Sequence, residues 1–182
     1  MKRREFLQIS AAAALAANSG DLLGEAAQPR KPLLTRAGED RDNEPIHFLD
    51  AVFDVKLSGK DSEGRLVIFD TVRHKKVGPA LHLHPDCDEW FQVKAGEFKM
   101  QAGEKTLRLK AGDSLFIPRD TPHAFVMTSE GDGRLIVMHF PAVRMEEYFR
   151  YSAKQTDQSE EARKKVAEMF GIRVLGPPLT PD

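Results

Sequence analysis

From Ile46 onward the sequence runs in short apolar stretches, many of them alternating with polar residues and cut apart by Gly, Pro and Asp. "IHFLDAVFDVKL", "GRLVIFDTV", "ALHLH", "EWFQVKAGEFKMQAG", "KTLRLKAGDSLFIP", "HAFVMTS" and "RLIVMHF" all read as strands, with turn residues at hairpin spacing. Seven or more strands in about 95 residues, with no helical period among them, restrict the chain to an all-β sandwich or barrel.

The period changes after Pro141. "RMEEYFRYSA" places Met145, Tyr148 and Phe149 on one face of a helix. A second helix is expected to start at Asp157, which forms a capping box with Glu160, to carry an apolar stripe of Ala162, Val166, Met169 and Phe170, and to stop at Gly171. "IRVLGPP" is expected to be extended and to pack back on the sheet. Residues 46–143 thus form the β domain and residues 144–182 a helical and extended tail.

Residues 1–27 read differently. A basic start (Lys2, Arg3, Arg4) precedes an apolar run from Ile9 to Ala17 that is too short to span a bilayer. Small residues from Gly24 to Ala27 suit cleavage after Ala26. This is the grammar of an export signal, and "RREFLQ" resembles the twin-arginine type. An amphipathic N-terminal helix of a cytoplasmic protein is the alternative. The expectation is an exported, periplasmic protein with no stable membrane anchor once the signal is removed. Residues 28–45, polar and carrying Pro29, Pro32 and Pro45, read as a linker or arm.

Composition excludes some classes. The 182 residues carry a formal charge of −1 with both signs mixed along the chain, and no basic stripe argues for nucleic acid as a partner. Cys87 is the single cysteine, so there is no intrachain disulfide framework and no Cys-rich zinc site.

The chemistry gathers in residues 82–123. Alternate strand residues share a face, so His82 and His84 point together, away from Leu81 and Leu83. That pair alone leaves surface or satisfied core histidines as the commoner reading. After a Pro-Asp-Cys-Asp turn, Glu89 opens the next strand on the face of Phe91 and Val93, where a buried carboxylate needs a cation or a proton. Downstream, "GDSLFIPRDTPH" ends on His123, which shares its face with Phe125 and Met127. Three imidazoles and a carboxylate at inward positions suit one divalent transition metal ion (Fe, Mn, Ni, Co, Cu or Zn) with positions left open for water or substrate. Phe91, Phe125 and Met127 would line a substrate pocket beside it.

These residues carry a resemblance to the cupin superfamily. Its first motif, Gly before His-x-His, then Glu and Gly, is matched by His82, His84, Glu89 and Gly96, and its second by Gly112, Pro118 and His123. The resemblance covers roughly residues 46–141. It implies a single-domain cupin jelly-roll β-barrel with a short C-terminal helical extension, in which His82, His84, Glu89 and His123 ligate one metal. It also implies dioxygenase chemistry of the quercetinase type on a small enolisable or phenolic molecule, with Glu89 doubling as base. The alternatives are a non-catalytic binding protein and an isomerase or decarboxylase that uses the metal as a Lewis acid. Pairing of barrels through their sheets makes a homodimer the default assembly. Three positions depart from the pattern: Gly78 lies three residues before His82 where five are more usual, Asp120 stands where glycine is common, and Met127 replaces a frequent asparagine.

Other features take plainer readings. Cys87 reads as a turn residue aimed away from the pocket, and Asp86 and Asp88 as solvated. His47 and His74 read as surface residues, and the parity of His139 is undecided. The run Arg73 to Lys76 reads as a solvated loop in preference to a pocket rim that greets an anionic or phenolic substrate.

Overall fold

The computed structural model describes residues 31–182, so the export-signal reading of residues 1–27 and the start of the linker lie outside the described residues. Residues Leu34–Asp182 form one compact unit. Its strands follow in chain order: β1 Ile46–Phe48, β2 Ala51–Leu57, β3 Val67–Arg73, β4 Ala80–Leu83, β5 Asp88–Ala95, β6 Glu97–Ala102, β7 Lys105–Lys110, β8 Ser114–Ile117, β9 His123–Met127 and β10 Gly133–Phe140. Helices α1 Met145–Ala153 and α2 Glu160–Met169 precede a last strand, β11 Arg173–Pro178.

The strands form two antiparallel sheets, β1-β2-β3-β10-β5-β8 and β11-β4-β9-β6-β7. The architecture is therefore a two-sheet jelly roll and not a single closed barrel. Alternation explains the layers. In β5, Glu89, Phe91 and Val93 are buried while Trp90 and Gln92 are half-buried, and β10 repeats the pattern with Leu135, Val137 and His139. Phe69, Phe91, Phe98 and Met100 fill the space between, each almost wholly buried. Burying a side chain of this size contributes roughly 2 kcal/mol.

The motif glycines Gly96 and Gly112 follow strands at φ 79° and 98°, left-handed conformations that a side chain would strain. Asp120 takes the same region at φ 60°, which accounts for glycine being common there and for aspartate being tolerated.

The tail corrects one sequence expectation. Ser159, not Asp157, caps α2 by accepting the Ala162 N–H at 3.3 Å, while Asp157 accepts the Ser159 N–H at 2.9 Å. The helix buries Ala167 and leaves Met169 exposed, so the expected stripe is rotated from the true contact face. Phe170 instead packs on Tyr148, Tyr151 and the Arg144 guanidinium. β11 does pack back, pairing with β4 so that Val174 opposes His82.

Candidate metal centre

The two sheets bring their titratable residues to one place. His82 lies on β4 and faces His123 across the β4–β9 ladder; His84 follows β4 directly. Glu89 comes from β5 of the opposite sheet. Donor atoms of His82, His84, Glu89 and His123 all lie within 4.8 Å of one another. The loop before His123 is held by the Asp120 N–H, which donates to the His84 carbonyl at 2.9 Å. Arg119 adds its backbone and side-chain N–H groups to Asp88 at 2.8 and 3.1 Å, tying the start of β5 to that loop. Asp88 is thus a buckle and not a solvated bystander.

The hydrogen bonds orient the rings. Nδ1 of His82 lies 2.8 Å from the Ala80 carbonyl, and Nδ1 of His123 lies 2.9 Å from the Thr121 carbonyl. A carbonyl only accepts, so both Nδ1 atoms carry hydrogen and both Nε2 atoms are turned to the centre. Nε2 of His84 is buried with no hydrogen-bond partner among the described residues. Glu89 Oε2 sits 2.8 Å from His123 Nε2 and 3.4 Å from His84 Nε2.

Electrostatics point the same way. Burial, reinforced by the imidazoles of His123 and His84, pushes His82 well below its ordinary value, and burial also lowers His84. Burial would raise Glu89, but His139 and the close approach of the His123, His139 and His84 ring nitrogens outweigh it and hold the carboxyl well below its usual range. Burial opposes charge on His123 too, yet its bond to Glu89 raises it. The centre is therefore an anionic carboxylate among imidazoles, two of which resist protonation. His123 faces an oxygen acceptor at each nitrogen, which requires positive charge between Nε2 and Glu89. A proton or a metal cation satisfies that requirement, so the donor set fits a divalent ion.

Sequence reasoning left His139 undecided. It is 1% exposed, opposes Glu89 across the β5–β10 ladder, and places Nε2 3.1 Å from Glu89 Oε1. The signal was present in the parity of β10: Leu135, Val137 and His139 share an inward face, and only the pairing partner was missing.

A cavity of about 530 Å³ opens onto His82, His84, Glu89 and His139. Of the expected pocket residues, Phe125 lines it. Phe91 and Met127 are packed in the core instead, 1% and 2% exposed. Phe91 has the right parity but lies behind the centre, its ring 6.4 Å from that of His123. Met127 lies further along β9, against Phe98 at the Gly133 backbone. Helix α1 contributes Tyr148 and Phe149 to the wall, with Phe149 4.5 Å from Phe53. Arg73, expected in a solvated loop, is 4% exposed and also lines the cavity. His47 and His74 are exposed, as read from the sequence. Cys87 is buried in the core and stands outside the donor cluster.

A family model for the cupin domain, Cupin_2, matches residues 69–139, the stretch that holds all four donors. Over that stretch the chain is similar to the cupin domain. Among solved structures, an RmlC-like cupin from Shewanella frigidimarina is 20% identical at a TM-score of 0.51, covering 62% of this chain and 93% of that one. A predicted oxalate decarboxylase from Thermotoga maritima is 19% identical at a TM-score of 0.48, covering 50% of this chain and 79% of that one. Protein SchB of Streptomyces halstedii is 28% identical over 81 residues, 44% of this chain. That match spans 59% of SchB. The matched stretch runs from β3 to β10, while β1 and β2 precede it and α1, α2 and β11 follow it in the sequence.

Proposed function

We propose that this protein is a metal-dependent oxidoreductase of the dioxygenase type, acting on a small enolisable or phenolic molecule, with His82, His84, Glu89 and His123 as the metal ligands. The observation that supports it most is the joining of donors to a cavity. Three of the four donor residues, His82, His84 and Glu89, stand at the wall of a space of about 530 Å³ whose other walls are largely apolar. A purely structural metal would be closed off by protein on all sides.

A divalent transition metal there supplies Lewis acidity and, for the redox-active ions, a partner for dioxygen. The protein's own groups do the rest. Glu89 Oε2 faces the centre and takes the proton of the substrate's enol or phenol. His139 engages the other oxygen, Oε1, and so fixes which oxygen is offered. Phe53, Phe125 and Phe149 hold bulk water away from the reacting end.

Oxygen consumption by the metal-loaded chain, followed over a panel of flavonols and other enolisable phenols, tests the reading. Uptake that depends on both metal and substrate is expected. A metal-loaded chain that consumes no oxygen across the panel contradicts it, and leaves the non-catalytic binder or the Lewis-acid isomerase or decarboxylase. Export by a twin-arginine route to the periplasm and assembly as a homodimer belong to the same proposal. Their tests are N-terminal sequencing of the protein from a periplasmic fraction and sedimentation of the purified chain.

A further inference from the structure

Arg73 is the buried charged residue of the cavity wall that the metal chemistry leaves unused. It ends β3 on the inward face of Phe69 and Thr71 and gives one N–H to Asp50 Oδ1 at 2.8 Å. Its Nε has no hydrogen-bond partner among the described residues. Its Cζ lies 5.2 Å from the ring centre of Phe125 and 5.9 Å from that of Phe53, contacts that fix the guanidinium in place.

A purely structural ion pair explains this poorly. A guanidinium carries five N–H donors, and a single contact to Asp50 leaves the fork largely unfilled. Burying such a group is costly unless its remaining donors are met. Burial already works against the charge, lowering the Arg73 value despite Asp50. A ligand anion would complete the fork.

We propose that Arg73 anchors the anionic end of the site's ligand, an organic monocarboxylate with an apolar middle, whose enol or phenol end lies at His82, His84, Glu89 and His123. The placement of that second end rests on the metal reading above; the carboxylate subsite stands on Arg73 alone. Phe125 lies two residues beyond His123 on the same face of β9, roughly 7 Å along the strand, and carries the guanidinium over its ring. The gap from guanidinium to donors is therefore on the order of 10 Å, the length of a hydroxylated aryl acid. Glu160, Glu161, Arg163 and Lys164 on α2 line the outer part of the cavity with both signs, so they do not select charge. One arginine already paired with Asp50 suits a monoanion better than a dianionic phosphate, which calls for more positive charge.

The probes are 4-hydroxycinnamate and its neutral amide, titrated calorimetrically at pH 7.5 into the full chain, metal-free and loaded with zinc. The acid is expected to bind about tenfold more tightly than the amide in both states. The double variant Arg73→Gln, Asp50→Asn removes both charges together and should erase the preference. Equal binding of acid and amide to the wild-type chain overturns the proposal, as does no binding of the acid, or a double variant that keeps the preference. If the double variant does not fold, the acid-to-amide comparison on the wild-type chain decides. Failure of the metal reading shows separately, as a chain that takes up no zinc while its Arg73-dependent preference persists.

Discussion

His139 and Glu89 face one another across the β5–β10 ladder, with His139 Nε2 3.1 Å from Glu89 Oε1. An ionised carboxylate only accepts, so His139 Nε2 carries the hydrogen and donates it. The carboxylate is thereby held by one oxygen and left free to act with the other, Oε2, toward His123 and His84.

That relationship predicts that His139→Ala weakens metal binding without removing a ligand. The expected loss is about 10- to 100-fold in affinity, the usual effect of deleting a group that orients a ligand. His139→Gln, which keeps an N–H donor, should restore part of it. Competition titration with a chromophoric chelator measures both; unchanged affinity in His139→Ala would assign this histidine to the core alone.

Metal uptake should displace about one proton near neutral pH. His123 faces acceptors at both nitrogens and is raised, whereas burial keeps His82 and His84 lowered and so neutral. Affinity then falls about tenfold per pH unit below the raised His123 value. Calorimetry in buffers of different ionisation enthalpy counts the protons; three released at pH 6.5 would contradict the assignment.

The same shifts set the stability of the metal-free chain. Depressed values at His82, His84 and Glu89 give stability that is present above the unfolded values of 6.5 and 4.5 and is lost as pH falls through the folded ones. His123 acts oppositely: its contribution is complete below 6.5 and is lost as pH rises through its raised value. The melting temperature without metal should therefore drop on acidification below about 6, where His82 and His84 lose their contribution while that of His123 is already complete, and drop further below 4.5 as that of Glu89 goes.

Gly78 is required by space. A Cβ built there would lie 1.7 Å from the Phe125 carbonyl oxygen, which is backbone and cannot step aside. Gly78→Ala should cost more than about 2 kcal/mol, because the strand that carries His82 must move away from β9. Gly103→Ala, at φ 59° with open space around it, should cost only about 1 kcal/mol. Denaturant melts of the two variants give the comparison, and equal losses would count against the packing argument.

Cys87 is buried, and burial first, then the charges of Glu89, Asp88 and Asp86, pushes its thiol up to about 12. Roughly one part in ten thousand is thiolate at pH 8, so iodoacetamide should leave the folded chain unmodified and label it once denaturant opens the core. Rapid labelling of the native protein would mean that the turn at residues 85–88 opens.

What was legible in the sequence followed from local period. His82, His84, Glu89 and His123 were readable because strand parity and turn spacing are local properties, and so were both sheets' strands. Arg73 and His139 were not, because each depends on which strand lies opposite, and β3, β5 and β10 meet only in the folded sheet. Phe91 and Met127 show the converse: parity places a residue inward but does not say whether it meets a cavity or the core. The cap of α2 shifted by two residues because Asp157 and Ser159 are both good caps, and only the chain path selects Ser159.

In the proposed centre, His82, His84, Glu89 and His123 hold one metal ion. Elemental analysis of the purified full chain, beside the double variant Glu89→Gln, His123→Ala, tests it directly. About one divalent transition metal ion per wild-type chain is expected, and almost none in a folded double variant. A double variant that retains a full equivalent of metal, or a wild-type chain that binds none when metal is supplied, contradicts it.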